Sequence, residues 1–229
     1  MAEMQRQYSP GVAVAIVKNG RPLKVAGYGL ANVELQAKVT PTTFFQTASM
    51  GKQFVAALVL LLREEDAGRT RLGTLLGHGS ASDGAHIAAP DPDGAGLERA
   101  VRAALAQADV TPADLDFVSA HGTGTPLNDR IETAVLRRVL GARAEAIPVN
   151  SIKGALGHTM GAAAALEAIM CLLAAREGLI PPTAGFEEPD PSCGLDYVPG
   201  TCRAVRPRLM LSTSLGFGGC NAALVLERA

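Results

Sequence analysis

Two histidines stand where side chains can do chemistry. His121 follows the apolar run Phe117 to Ala120 and opens the turn Gly122-Thr123-Gly124-Thr125-Pro126. His158 closes the stretch Asn150-Ser151-Ile152-Lys153-Gly154-Ala155-Leu156-Gly157, again between an apolar run and a helical segment. A glycine-rich turn at a strand end lets the backbone approach a ligand while a side chain projects from a rigid sheet. Two such histidines at the same end of neighbouring strands can meet, and paired imidazoles can donate hydrogen bonds or move protons. Either one alone reads as a structural or surface histidine. The pair with its two turns makes the candidate site.

Glu167 lies among Ala162 to Ala165, Leu166, Ile169, Leu172 and Leu173, where an unpaired buried carboxylate is costly. Lys153 is the nearest cation in sequence, and a Lys153–Glu167 pair would set a fixed charge beside His158. The alternative is that Glu167 faces solvent at the sheet edge. A further candidate is Ser49-Met50-Gly51-Lys52. Ser-x-x-Lys places hydroxyl and amine one turn apart on a helical face, so Lys52 could assist deprotonation of Ser49. A serine that caps a helix, with a lysine three residues on, has the same spacing.

The elements that must position these groups can be read from the pattern. Gly11 to Val17 and Leu23 to Val25 flank Asn19-Gly20 and predict a hairpin with a tight turn. A helix is expected from Ser49 to about Glu65, with Phe54, Leu58, Leu61 and Leu62 on one face and Gly68 past its end. This first block is too small, and its hairpin too bare, to bury a core of its own. From Leu75 the composition changes to Gly, Ala, Asp and Pro through Gly96, followed by a helical stripe at Leu97, Val101, Ala104, Leu105 and Ala108. Thr111-Pro112 predicts a short capped turn. Strands are expected at Phe117 to Ala120 and Ile147 to Asn150, and helices from about Asn128 to Leu140 and Gly161 to Arg176. Two adjacent strands, Leu209 to Ser214 and Ala222 to Leu226, close the chain around a flexible turn. Alternating strands and helices imply an α/β fold, a parallel or mixed sheet with helices on its faces.

Composition narrows the function classes. The 229 residues carry 21 Lys+Arg against 22 Asp+Glu, a formal net charge of −1, so neither nucleic acid nor an anionic membrane is an implied partner. Apolar residues make up 48% and charged residues 19%, which suits a packed globule. Cys171, Cys193, Cys202 and Cys220 lack Cys-x-x-Cys spacing, and the histidines complete no zinc pattern. Reduced thiols and no structural metal are expected. Met1 to Pro10 lacks the basic and apolar regions of a signal peptide, and Phe54 to Leu62 is too short to span a bilayer. Met160 to Ala175 is interrupted by Glu167. The expectation is a cytoplasmic protein without a membrane span.

Three ordered motifs then resemble the β-ketoacyl synthases: His121-Gly122-Thr123-Gly124-Thr125-Pro126-Leu127-Asn128-Asp129, the Asn150 to Ala163 stretch, and Ser214-Leu215-Gly216-Phe217-Gly218-Gly219-Cys220-Asn221. Gly77-His78-Gly79-Ser80-Ala81-Ser82-Asp83-Gly84-Ala85-His86 extends the resemblance from Leu75 to the end. It implies a thiolase-type αβαβα stack of two similar halves, of which this chain resembles the second. It implies decarboxylative Claisen condensation of malonyl and acyl thioesters in fatty-acid or polyketide assembly. His121 and His158 would stabilise the enolate oxyanion, and Lys153 with Glu167 would orient and tune them. Thr123 and Thr125 would contact a phosphopantetheine arm delivered on acyl carrier protein, with no cofactor bound to the chain itself. Phe217, flanked by Gly216 and Gly218, would gate the acyl pocket. The family's nucleophilic cysteine belongs to the first half, and none of the four cysteines here has its setting. The implied partners are acyl carrier protein, the thioesters, and a further chain supplying that half.

Ser9 to Val14, Gly27-Tyr28-Gly29-Leu30-Ala31-Asn32, Thr40-Pro41 and Ser49 to Phe54 resemble the opening of a serine β-lactamase or penicillin-binding-type hydrolase. By that resemblance Ser49 and Lys52 are an alternative nucleophile pair acting on an ester or lactam. No Lys-Thr-Gly strand follows to complete the set. The expected organisation is a β-lactamase-like fragment over 1–72 and a ketosynthase-like domain over 73–229. A carrier-protein-binding module without turnover is the other alternative.

Overall fold

A computed structural model describes residues 11–32, 36–43, 71–86 and 89–229. The chain divides into two compact units, Met1–Thr47 and Ala48–Ala229.

In the first unit β1 (Val12–Lys18) and β2 (Arg21–Tyr28) form an antiparallel hairpin with Lys18 opposite Arg21. Its two-residue turn, Asn19-Gly20, has positive φ at both positions (51° and 73°), the conformation that a right-twisted hairpin demands and that these residues tolerate. A second small pair joins β3 (Leu30–Asn32) to β4 (Ala37–Lys38). Val39 is the buried apolar residue here, while Val17 and Leu23 remain 61% and 65% exposed. The hairpin therefore has no core of its own among the described residues. The helix expected from Ser49, with Ser49 and Lys52 on it, lies outside the described residues.

The second unit is built on a five-stranded mixed sheet in the order β5-β9-β8-β6-β7. Its strands are β5 (Gly73–Ser82), β6 (Phe117–Ser119), β7 (Val149–Asn150), β8 (Leu209–Gly216) and β9 (Cys220–Arg228). β9 runs antiparallel to β5 and β8, whereas β6 lies parallel to both β8 and β7. Val118 is thus in register with Leu211 on one side and Val149 on the other. Helices α1 (Ala95–Ala108) and α2 (Pro126–Leu140) cover one face. Leu97, Val101, Val135 and Leu136 pack there against Val118, Leu211 and Val225. Helix α4 (Ala163–Glu177) lies on the other face, where Cys171 and Ala175 meet Phe117, Met210 and Leu226. Neighbouring residues of β6 and β8 thus feed opposite cores, as strand alternation requires. The short helix α3 (Lys153–Leu156) precedes α4. Among the described residues, no helix is long and apolar enough to cross a membrane.

The glycine-rich stretch after Leu75, to which the sequence assigned no element, forms the edge strand β5. The reason lies in what packs on it. A Cβ added at Gly79 would stand 2.0 Å from the Ala100 carbonyl oxygen, and one at Gly77 2.4 Å from that of Ala104. Glycine lets α1 press onto the strand, and this gain outweighs its poor strand propensity. Gly79→Ala must push α1 off the sheet and is expected to destabilise the fold by about 3 kcal/mol, read as a lowered urea midpoint. An unchanged midpoint would mean that α1 yields freely.

Candidate active site

Because β6 and β7 are parallel neighbours, their C-terminal ends open at one edge of the sheet. β6 delivers His121 and its turn there; β7 leads through Ser151 and α3 to His158. The two rings meet edge to face, with centroids 5.4 Å apart and planes at 82°. His121 is buried at 6% exposure and His158 is exposed. The Met160 backbone N–H donates to His158 Nδ1 at 3.2 Å, and Lys153 Nζ lies 3.3 Å from His121 Nδ1. These donors assign Nδ1 as the acceptor in both rings and leave the proton on Nε2. Both imidazoles can then donate from Nε2 to an oxygen bound between them.

Lys153 is locked in place. Its ammonium donates to the Glu167 carboxylate and to the His121 carbonyl oxygen, with both side chains almost wholly buried. Ser214 Oγ donates to the other Glu167 oxygen at 3.4 Å. Burial pushes the Glu167 carboxyl above the usual carboxylate range, and Lys153 pulls it back. Glu167 is therefore paired rather than solvated at a sheet edge. The fixed charge stands against His121. Gly157 ends α3 at φ 73° ahead of the exposed His158, while Lys153 is buried and donates to the His121 carbonyl.

Glu132 on α2 is the residue that sequence reading missed. It is 3% exposed and accepts from the His121 and Gly122 backbone N–H groups at 2.8 and 2.9 Å and from Thr213 Oγ1 at 2.6 Å. Burial raises its carboxyl above the usual range, and these donors work against that rise. The signal was present: Glu132 shares a helical stripe with Val135, Leu136 and Val139, the same mismatch that marked Glu167. Glu132→Ala leaves the Gly122 N–H without this acceptor and the His121 N–H with only Thr213 Oγ1 at 3.2 Å, and is expected to cost about 1–3 kcal/mol. Denaturant titration checks this, and a change under about 1 kcal/mol would show that water replaces the carboxylate.

Around the histidines lies a cavity of about 470 Å3, lined among others by Thr123, Thr125, Ser214 and Phe217. The Thr123 and Thr125 hydroxyls bond each other at 2.8 Å. Phe217 is 74% exposed in the turn that joins β8, ending at Gly216, to β9. Gly218 and Gly219 hold positive φ there, at 79° and 72°. Asp83 grips this turn, its N–H donating to the Gly219 carbonyl at 2.8 Å and its carboxylate accepting from Asn221 at 2.7 Å. All four cysteines are free. Cys171 lies within α4, its thiol pushed up to about 12 by burial, and Cys220 opens β9. Neither has the helix N-terminus that makes a reactive thiolate. Among the described residues no group of His, Cys, Asp and Glu could hold a metal ion.

The family model described as the β-ketoacyl synthase C-terminal domain matches residues 72–187, just over half of the chain. The chain belongs to the β-ketoacyl synthase family. The chain is 46% identical over 174 residues to the tetracenomycin polyketide synthase ketoacyl synthase alpha subunit of Streptomyces glaucescens, covering 74% of this chain and 41% of that protein. It is 40% identical over 174 residues to 3-oxoacyl-(acyl-carrier-protein) synthase 2 of Synechocystis, covering 74% and 42%. A solved complex of a type II polyketide synthase acyl-carrier protein with its ketosynthase superposes with a TM-score of 0.69 at 31% identity, covering 73% of this chain and 41% of that one. The chain thus spans about two fifths of the relatives it matches. A β-lactamase model matches residues 2–76. The mixed sheet with helices on both faces is the thiolase-like architecture of the ketosynthase relatives.

Proposed function

We propose that residues 73–229 form the enolate-stabilising half of a β-ketoacyl synthase site, acting in fatty-acid or polyketide assembly. The observation that carries this reading is the His121–His158 pair, with both Nε2 protons directed by their Nδ1 partners. Malonyl thioester reaches the cavity on the phosphopantetheine arm of acyl carrier protein, which Thr123 and Thr125 contact through their hydroxyls. The bond from the α-carbon to the carboxylate breaks, carbon dioxide leaves, and the electron pair enters the thioester as an enolate. Its oxyanion accepts a hydrogen bond from each imidazole. The enolate carbon then attacks an acyl thioester and expels the sulfur that carried it. Lys153 and Glu167 are positioning residues that hold His121, and Phe217 with Gly216 and Gly218 gates the acyl channel. The acyl-bearing thiol comes from a segment or chain beyond these residues, since none of the four cysteines has the setting for it.

Release of labelled carbon dioxide from malonyl carrier protein tests the reading. Carrier protein that binds without release would reduce the chain to a binding module. Absence of both would remove the ketosynthase reading.

A second reading covers the first block. The β-lactamase model ends at residue 76 and the ketosynthase model begins at 72, which supports a fusion of a β-lactamase-like fragment over 1–72 with the ketosynthase domain over 73–229. In it Ser49, activated by Lys52, attacks a lactam carbonyl and retains the acyl group. Intact mass measurement after exposure to a reactive β-lactam is expected to show one adduct, absent from Ser49→Ala. No adduct under forcing conditions would leave Ser49 as a helix cap.

A further inference from the structure

Two imidazoles serve one oxygen only if both Nε2 atoms stand about 3 Å from it, so the spacing of the two turns must be fixed. The strand ladder beneath them is short. β6 and β7 share two register pairs, Val118 with Val149 and Ser119 with Asn150, and the Ala120 N–H donates to the Asn150 carbonyl at their end. His121 follows that end directly, whereas His158 lies beyond α3. A pairing this short fixes the direction of the strands but not the separation of turns that run on past them. Ser151, a buried residue, bridges the gap. Its hydroxyl donates to the Gly122 carbonyl at 2.8 Å, from one turn to the other, and accepts from the Lys153 N–H at 3.3 Å at the start of α3. The approach is close: a Cβ added at Gly122 would stand 2.6 Å from that of Ser151. Both sides of the bridge are anchored. The Gly122 N–H donates to Glu132 at 2.9 Å, and the Ser151 N–H donates to Thr183 Oγ1 at 3.4 Å. The Thr183 hydroxyl donates in turn to the Tyr197 carbonyl at 2.7 Å, and the Tyr197 and Thr133 hydroxyls bond each other at 2.5 Å. Glu132 and Thr133 are consecutive on α2, so these bonds form a circuit that leaves α2, crosses both turns and returns to it.

We propose that Ser151 is a positioning residue that sets the spacing of His121 and His158. It acts through the backbone of both turns, because Gly122 follows His121 and Lys153 opens the helix that leads to His158. Without the hydroxyl, the Gly122 carbonyl loses this donor and the circuit opens at the point where the two turns meet. The effect on rate rests on the enolate reading above; the effect on ring spacing does not.

Nuclear Overhauser spectra of the full chain, with ring signals assigned from His121→Ala and His158→Ala, read the spacing without turnover. The wild type is expected to show a cross-peak between the two rings, which meet edge to face. In Ser151→Ala that cross-peak is expected to fall to less than about half. The kcat for carbon dioxide release from malonyl carrier protein should fall with it by about ten- to a hundredfold, at a KM within about twofold, the cost of misplacing a group by about an ångström. Ser151→Thr keeps the hydroxyl, and position 151 borders a second cavity, of about 590 Å3, that can take the added methyl group; it is expected to retain both signals. Should Ser151→Ala not fold, Ser151→Cys decides, since it keeps the volume but offers Gly122 only a weak donor and is expected to lose both. A lowered urea midpoint in Ser151→Ala with cross-peak and kcat intact would overturn the proposal and leave an ordinary structural hydroxyl. So would a Ser151→Thr variant that loses as much as Ser151→Ala. A wild type that releases no carbon dioxide would remove the enolate reading, while the cross-peak would still decide whether Ser151 spaces the rings.

Discussion

Lys153→Ala is expected to lower the stability of the second unit by about 3–5 kcal/mol, the loss typical of a buried ion pair left with one partner. The side chains of Lys153 and Glu167 are 5% and 1% exposed, so water cannot compensate the stranded carboxylate. The exposed pair Arg176–Glu177, with side chains at 53% and 57%, sets the contrast: Arg176→Ala is expected to change stability by less than about 0.5 kcal/mol. Urea titration followed by circular dichroism, with amide exchange over α4 and β8, reads both. The sign of the pH dependence follows from burial. Burial favours the protonated Glu167 carboxyl, so the folded state binds the proton more tightly than the unfolded chain. In the variant, which loses the counter-charge, stability should be highest at acid pH and fall as pH rises through the elevated folded pKa. A double variant, Lys153→Met with Glu167→Leu, is expected to recover most of the loss, because it removes the charges rather than orphaning one. A Lys153→Ala shift under about 1 kcal/mol, flat with pH, would show that solvent reaches the pair.

The second large effect is catalytic. His121→Ala and His158→Ala are each expected to cut carbon dioxide release from malonyl carrier protein by about 10²–10³-fold, the usual loss for one oxyanion donor. On the proposed reading, in which Thr123 and Thr125 contact the arm rather than the oxyanion, Thr123→Val and Thr125→Val are expected to raise KM while sparing kcat. His121 is buried, with Lys153 against its Nδ1 and Glu132 holding its backbone N–H. The tautomer that presents Nε2–H is thus built into the core, and Lys153→Ala is expected to reduce release as well as stability. Equal rates for the wild type and both histidine variants would show that the pair is structural.

The helices and strands of the second unit were legible because their burial is periodic. The apolar stripe of α1 and the runs at Phe117 and Leu209 announced themselves in the spacing alone. β5 did not, because glycine there answers to the backbone of α1, which is remote in sequence. Glu167 was marked by its apolar neighbours and needed a partner, and Lys153 proved to be that partner. Glu132 carried the same mark and went unread, since its partners are two backbone N–H groups and a hydroxyl from β8, none of which sequence displays as a charge. The four motif segments determined the family, and two glycine-rich turns after apolar runs determined which histidines to compare. Only the tertiary structure decided that β6 and β7 are parallel neighbours, which brings the two rings within 5.4 Å and sets the lysine charge against His121. Motifs record which groups are present, while distances between residues far apart in the chain follow from strand order and register, which are set by packing.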